Sequence, residues 1–258
     1  MGASGRTCFG RMKDQSSPWR LECFAELGST SDFCLEQARH GIDSGLAVLA
    51  YRQTQGRGSR GRQWVDAGQS LALSVLLDAQ QAGQDMLGGW PFAASLAFYD
   101  GLLRAVPAVA GHLMIKWPND LLLDGQKAGG ILIEREGGRL VIGFGANLTQ
   151  APSQQQTGRF AACLGQYGEV PPAKDVAQCI LSCLTDWCAV WQQNGFGALR
   201  QAWLDRAHPV GTPLVVSSRT TYEQGKFAGL AEDGRLLLDT ETGMKTITTG
   251  DILLEEGV

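Results

Sequence analysis

Short apolar runs punctuated by turn residues dominate the first half of the chain. Leu21 to Ala25 predicts a strand ending at the Gly28-Ser29-Thr30-Ser31 turn, and Asp32 to Arg39 suits a helix with those small hydroxyl residues available to cap it. Leu46 to Tyr51 and Leu71 to Leu77 are apolar and β-compatible, the second reading as a buried strand. From Pro91 to Val106 the period lengthens. Phe92, Leu96, Tyr99 and Leu103 recur at helical spacing, and Pro91 fits the first turn. Leu113 to Lys116 is again strand-like, and Pro118 excludes a helix just after it. Asp124-Gly125 is a two-residue hairpin signal between Leu121-Leu122-Leu123 and Gly130-Ile131-Leu132-Ile133. Gly137-Gly138 leads in the same way to Leu140-Val141-Ile142-Gly143, so residues 113–145 predict an antiparallel meander. A loose stretch at 149–172 precedes two helices, about 173–192 and 196–206.

After Pro209 the texture changes. Pro213 to Val216, Lys226 to Leu230, Arg235 to Asp239 and Thr246 to Leu254 predict short strands, with Asp233-Gly234 as a hairpin turn, which together suit a small β-barrel. The chain divides into a polar, Gly/Ser-rich and loose segment 1–19, a main domain 20–207 and a β-domain 208–258. The longest apolar run, Leu71 to Leu77, is interrupted by Ser74 and is too short to span a bilayer.

Composition narrows the classes. With 258 residues, 44% hydrophobic and 19% charged, the chain has the balance of a globular fold and not of a disordered or coiled-coil protein. A formal charge of −4 gives no general attraction to nucleic acid or to an anionic membrane. Seven scattered cysteines without a CxxC pair, and only three histidines, argue against zinc and for buried free thiols in a reduced, cytoplasmic protein. The N-terminus carries no apolar signal core, and Arg6 occupies the position where a myristoylation pattern needs Ser or Thr. His112 and His208 read as structural.

Gly56-Arg57-Gly58-Ser59-Arg60-Gly61 matches G-x-G-x-x-G and nearly matches a P-loop, but both require a helix directly after the last glycine. Here eight residues lead to a strand, too few for a parallel crossover. What remains is a pliable loop presenting Arg57, Arg60 and Arg62. Guanidinium forks suit phosphate oxygens, and such a loop fits closure over a phosphorylated or adenylated intermediate.

An ordered set of motifs makes the reading specific. Gly28-Ser29-Thr30, Gln53, Gly56-Arg57-Gly58-x-Arg60-Gly61-Arg62-x-Trp64, Lys116-Trp117-Pro118-Asn119-Asp120, Lys127-x-Gly129-Gly130-Ile131-Leu132-x-Glu134 and Gly143-x-Gly145-x-Asn147 occur in the order found in biotin protein ligases. The chain resembles that family from about residue 20 to 258. The resemblance implies an α/β (α+β) fold, a mixed sheet flanked by helices like that of class II aminoacyl-tRNA synthetases, followed by an SH3-like barrel. It further implies an ATP-dependent ligase that makes biotinyl-5′-AMP and passes biotin to a lysine of a biotin carboxyl carrier domain. About 20 residues before the first predicted strand are too few for the helix-turn-helix domain of the repressor members, so the ligase-only type, acting without DNA or membrane, is expected.

By the same resemblance, Ser29, Thr30, Gln53, Gly56, Arg57, Lys127, Gly129 and Gly130 would bind biotin. Arg57, Arg60, Arg62, Trp64, Asn119, Lys127 and Asn147 would bind ATP and the adenylate, with Asn119 an oxygen donor near Mg. Lys127 would meet the charge growing at the α-phosphate, and Asp120 would orient or deprotonate the carrier lysine; with Arg57 these are the catalytic candidates. Lys127 and Asp120 lie seven residues apart across the Asp124-Gly125 turn, so the hairpin brings them together. Trp64 and Trp117 read either as stacking partners or as core. Two positions depart from the family: Ser59 stands where Arg is usual, and Ser31 where Asn is usual. The first removes a cation from the adenylate loop and the second alters the edge of the biotin pocket.

The competing readings are a lipoate or octanoate ligase or transferase of the same fold, a biotin-sensing repressor, and an inactive paralogue. A thioester-forming transferase needs a placed cysteine, and the motifs contain none. Exposed sheet edges leave homodimerisation open.

Overall fold

The computed structural model describes residues 18–79, 88–217 and 222–254. The segment 1–17, most of the N-terminal stretch read as loose, lies outside them. Seven strands form the main sheet: β1 (Arg20–Phe24), β2 (Leu46–Ala50), β3 (Ser70–Asp78), β4 (Leu113–Lys116), β5 (Asp120–Leu123), β6 (Gln126–Glu136) and β7 (Arg139–Asn147). Their order is β1-β2-β3-β7-β6-β5-β4, with β1 parallel to β2 and every other pair antiparallel. The sheet is therefore mixed, and 113–145 forms the meander that its turn residues demand. At the first hairpin, Asp124 (φ 45) and Gly125 (φ 80) both take the left-handed conformation that a tight two-residue turn requires.

Strand alternation gives the sheet two unlike faces. Ala47, Leu49, Leu71, Leu73, Val75, Ile142, Phe144 and Ile131 point to one side. There α2 (Trp90–Ala105), α4 (Ala173–Asn194) and α5 (Phe196–Leu204) close the main core, with α2 packed along α4. The other side is covered only at one end, where Cys34 and Leu35 of α1 (Thr30–Arg39) meet Leu46, Val48, Leu76 and Val141. Helix α1 begins earlier than its apolar pattern indicates, because the Ser29 hydroxyl accepts the Asp32 amide as a cap and draws Thr30 and Ser31 into the first turn. Past α1, this face is open and floored by small residues. The loose stretch after β7 holds two short helical turns, α3 (Gln154–Thr157) and a 3-10 turn at Leu164–Gln166.

A second sheet of five strands follows: β8 (Pro213–Ser217), β9 (Tyr222–Leu230), β10 (Leu236–Thr240), β11 (Gly243–Ile247) and β12 (Asp251–Leu254), in the order β11-β10-β9-β8-β12. The run Thr246 to Leu254, predicted as one strand, is two. Thr248-Thr249-Gly250 breaks it, and the halves pair at opposite edges, β11 with β10 and β12 with β8. Trp117 joins the two sheets: it is buried, and its indole N–H donates to the Gly234 carbonyl (3.3 Å). Nearby Arg200 of α5 donates to the Leu230 and Ala231 carbonyls. No helix among the described residues is long and apolar enough to cross a membrane.

Candidate active site

The open face of the main sheet carries a cross-strand row, Ala72–Gly145–Gly130–Asp120–Lys116, running through β3, β7, β6, β5 and β4. A second row, Ser74–Gly143–Leu132, runs beside it. Three glycines, an alanine and a serine leave a trough in the sheet that ordinary side chains would fill. Trp64 lies across it, so close that a Cβ on Gly145 would come within 2.9 Å of the indole.

A bulge supplies the cation. Between Leu121 and Leu122 of β5 the register with β6 slips, from Leu121↔Gly129 to Leu122↔Lys127, leaving Ala128 as the extra residue. Without the slip Lys127 and Gly130, three apart, would point to opposite faces; the bulge turns both to the trough. Lys127 Nζ then lies 2.6 Å from Asp120 Oδ1, and Asp120 Oδ2 lies 3.0 Å from Lys116 Nζ. Burial would push the Asp120 carboxyl up, but the two ammonium groups outweigh it and hold the group below the usual carboxylate range. Asp120 is thus an anion held between two cations. It is suited to orient an amine and to stabilise positive charge on it, and poorly suited to take up a proton.

One end of the trough is polar and neutral. Gln53 Oε1 accepts from the Thr30 amide (2.8 Å) and hydroxyl (3.1 Å), and Ser74 Oγ joins Thr30 Oγ1 (2.8 Å) and Ser31 Oγ (3.1 Å). Ser29, Thr30, Ser31 and Gln53 line this end with Ser74. Arg57 stands at its rim, its guanidinium clamped by Glu134 (2.8 and 2.5 Å) and paired with Asp32 (2.9 Å). The hydrogen bonds it donates to Glu134 push the arginine pKa still higher, so it is permanently charged. Its buried Nε has no protein partner.

A second pocket adjoins the first, sharing Gly58, Ser59, Trp64 and Lys127 and adding Arg62, Asn147, Pro152, Thr157, Arg159 and Ala161. Asn147 is buried. Its Nδ2 donates to the Ala162 carbonyl (2.9 Å) while Oδ1 has no protein partner, as the Trp64 indole Nε1 has none. Unmatched buried groups beside a cavity are ready for ligand hydrogen bonds.

Of the candidate site residues named from the sequence, Ser29, Thr30, Gln53, Arg57, Asn119, Asp120 and Gly130 gather in the first pocket, Arg62 and Asn147 in the second, and Trp64 and Lys127 in both. Three stand elsewhere. Gly129 faces the core, where a Cβ would meet the Phe98 ring at 2.9 Å; it belongs to the face opposite Gly130. Gly56 lines neither pocket; its missing side chain admits the Trp64 carbonyl, 2.8 Å from where a Cβ would be. Arg60 takes a left-handed φ of 60° and reaches Thr249 Oγ1 (3.3 Å) on the second sheet. Asn119 donates its amide N–H to the Ile131 carbonyl (2.6 Å), which leaves its oxygen available. Trp117 is core, as described. His208 is buried against Phe227 (4.3 Å), and desolvation, with Lys116 nearby, pushes its pKa down to about 4, so it is neutral. His112 pairs with Asp124 at the surface (3.0 Å).

Sequence reasoning assigned no role to Asp32, Glu134, Ser74, Lys116 or Arg159. Glu134 and Lys116 belong to motifs that were legible, but the Arg57 that Glu134 clamps and the Ile252 carbonyl behind Lys116 lie 77 and 136 residues away, which no local spacing discloses. Among the described residues no cysteine lines either pocket, and burial pushes the Cys34 thiol up to about 12.

Residues 24–147 match the biotin/lipoate A/B protein ligase family and residues 217–254 match the biotin protein ligase C-terminal domain. The biotin–[acetyl-CoA-carboxylase] ligase of Paracoccus denitrificans is 33% identical over 237 residues, covering 88% of this chain and 98% of the relative. That of Mycobacterium tuberculosis is 30% identical, covering 92% and 90%. The biotin protein ligase of Aquifex aeolicus, solved in complex with biotin and ATP, superposes with a TM-score of 0.79 at 26% identity, covering 92% of this chain and 99% of that one.

Proposed function

Because this chain belongs to the biotin protein ligases of the biotin/lipoate A/B protein ligase family, we propose a role for each part of its site. The enzyme activates biotin with ATP and transfers it to a biotin-dependent carboxylase. A biotin carboxylate oxygen attacks the α-phosphorus, the bond to the β-phosphate oxygen breaks, and pyrophosphate leaves. The carrier lysine nitrogen then attacks the acyl carbon of biotinyl-5′-AMP, the acyl–phosphate bond breaks, AMP leaves as its phosphate anion, and the nitrogen gives up a proton to solvent water as the amide forms.

The observation that carries the reading is Lys127 paired to Asp120 at 2.6 Å, where two adjoining pockets meet. The neutral hydroxyl and amide end suits a urea ring, which offers both donors and an acceptor. The second pocket suits the adenylate, with Asn147 Oδ1 free to accept an exocyclic amine and Arg62 and Arg159 near the phosphate path. Lys127 meets the negative charge that builds during adenylation. Asp120, held ionised, steadies the ammonium forming on the attacking nitrogen. Arg57, Arg60 and Arg62 close with their loop over the intermediate. We assign magnesium to the nucleotide, as Mg-ATP, with the Asn119 oxygen the donor toward it. We divide the chain into 20–207 and 208–258 and read the five-stranded sheet as the SH3-like barrel of the family.

The lipoate alternative is not favoured. The second sheet matches the biotin protein ligase C-terminal domain, and neither pocket holds a cysteine for a thioester. The test is exchange of labelled pyrophosphate into ATP. Biotin should support it and lipoate should leave it at background; support by lipoate alone would reverse the assignment.

A further inference from the structure

Lys116 is a buried ammonium with no place in the chemistry above. It sits at the end of β4, directly across from Asp120 in the hairpin register. Its side chain is 9% exposed, and Nζ lies 3.0 Å from Asp120 Oδ2. On its far side Nζ donates to the Ile252 carbonyl (3.0 Å) of β12, an edge strand of the second sheet. The next residue, Trp117, also reaches that sheet, through the Gly234 carbonyl. One motif therefore faces two ways: Lys116 and Trp117 hold the C-terminal sheet, while Asn119 and Asp120 face the trough.

The arrangement matters when Lys127 moves. To serve the carboxylate and α-phosphate, Lys127 must loosen its 2.6 Å contact with Asp120, whose side chain is only 13% exposed. A buried carboxylate deprived of its one partner is costly and free to change rotamer. With Lys116 it keeps a partner on the other oxygen throughout. Neutral His208, packed nearby, adds no charge that would compete. We propose that Lys116 is a positioning residue for the transfer step: anchored by the C-terminal sheet through the Ile252 carbonyl, it holds the Asp120 carboxylate in place while Lys127 turns to the ligand. The second sheet thereby acts on the active site through Lys116.

This inference rests on the biotin ligase reading, and a double-mutant cycle tests it separately. Biotinylation of a carrier domain by the full chain is measured for wild type, Lys116→Met, Asp120→Asn and the double variant, with Lys116→Arg alongside. Met fills a similar volume without the charge. Lys116→Met should lower the transfer kcat by about 10- to 100-fold, the scale for a misplaced group, with the KM for biotin and ATP within about threefold of wild type. Lys116→Arg should recover part of the rate. In the Asp120→Asn background the Lys116→Met change should have no further effect, because the two residues act as one unit. Full additivity, or a loss confined to KM, would overturn the proposal. If Lys116→Met does not fold, the cycle is run with Lys116→Arg, whose displaced charge should cost severalfold beside Asp120 and nothing beside Asn. A wild-type enzyme that fails to biotinylate the carrier would instead count against the functional reading itself.

Discussion

Lys127→Ala is expected to slow adenylate formation by about 10²–10³-fold, the scale for removing one preorganised charge stabiliser from a water-poor site. The expectation rests on where the bulge at Ala128 puts the ammonium: in the shared wall of both pockets, on the face of the small-residue trough. The fold should survive. The Lys127 side chain is 29% exposed, and Asp120 keeps Lys116 as a counter-ion when Lys127 is gone. Both half-reactions should respond unequally, with biotin-dependent pyrophosphate exchange bearing the larger loss and attack by the carrier lysine on supplied adenylate the smaller. Exchange within about threefold of wild type would remove Lys127 from the catalytic set.

Ser59→Arg is expected to slow escape of biotinyl-AMP from the enzyme. Ser59 lines both pockets, and its carbonyl (3.3 Å) and hydroxyl (3.1 Å) accept from the Arg62 guanidinium, so it steadies that arginine but adds no charge of its own. Arginine there would place a second guanidinium beside Arg62 at the junction of the two pockets, where we propose that the mixed anhydride binds. A charge-assisted hydrogen bond contributes roughly 1.5–3 kcal/mol, which corresponds to release slower by about 10- to 150-fold. The wild-type enzyme, lacking that cation, should label a bystander such as serum albumin more than the variant does, while carrier labelling stays similar. Equal release by the two enzymes would show that position 59 does not govern retention.

The parts of this molecule that were legible in the sequence are those fixed by local geometry. Asp124-Gly125 announces its hairpin because few other pairs take two left-handed residues in succession, and the hairpin then brings Asp120 and Lys127 together. The Pro91 helix follows from its helical period, and the Leu71 to Leu77 strand from its short continuous apolar run. Legibility ends where distant segments meet or where one residue reverses a face. Adjacent Gly129 and Gly130 look equivalent in a motif, yet strand alternation sends one to the Phe98 ring and the other to the site. The split of Thr246 to Leu254 depends on which edges of the second sheet remain to be paired, a tertiary fact. The clamp on Arg57 and the carbonyl behind Lys116 need partners far along the chain.

Biotin, and not another carboxylic acid, is the group this chain joins to a carrier lysine at the expense of ATP. The direct measurement is the intact mass of a biotin carboxyl carrier domain after incubation with the enzyme, Mg-ATP and an equimolar mixture of biotin and lipoate. One biotinyl addition, confined to a single lysine and absent without ATP, is the predicted result. A lipoyl addition, or an unmodified carrier from a folded and ATP-supplied enzyme, would show that the site does not activate biotin for transfer.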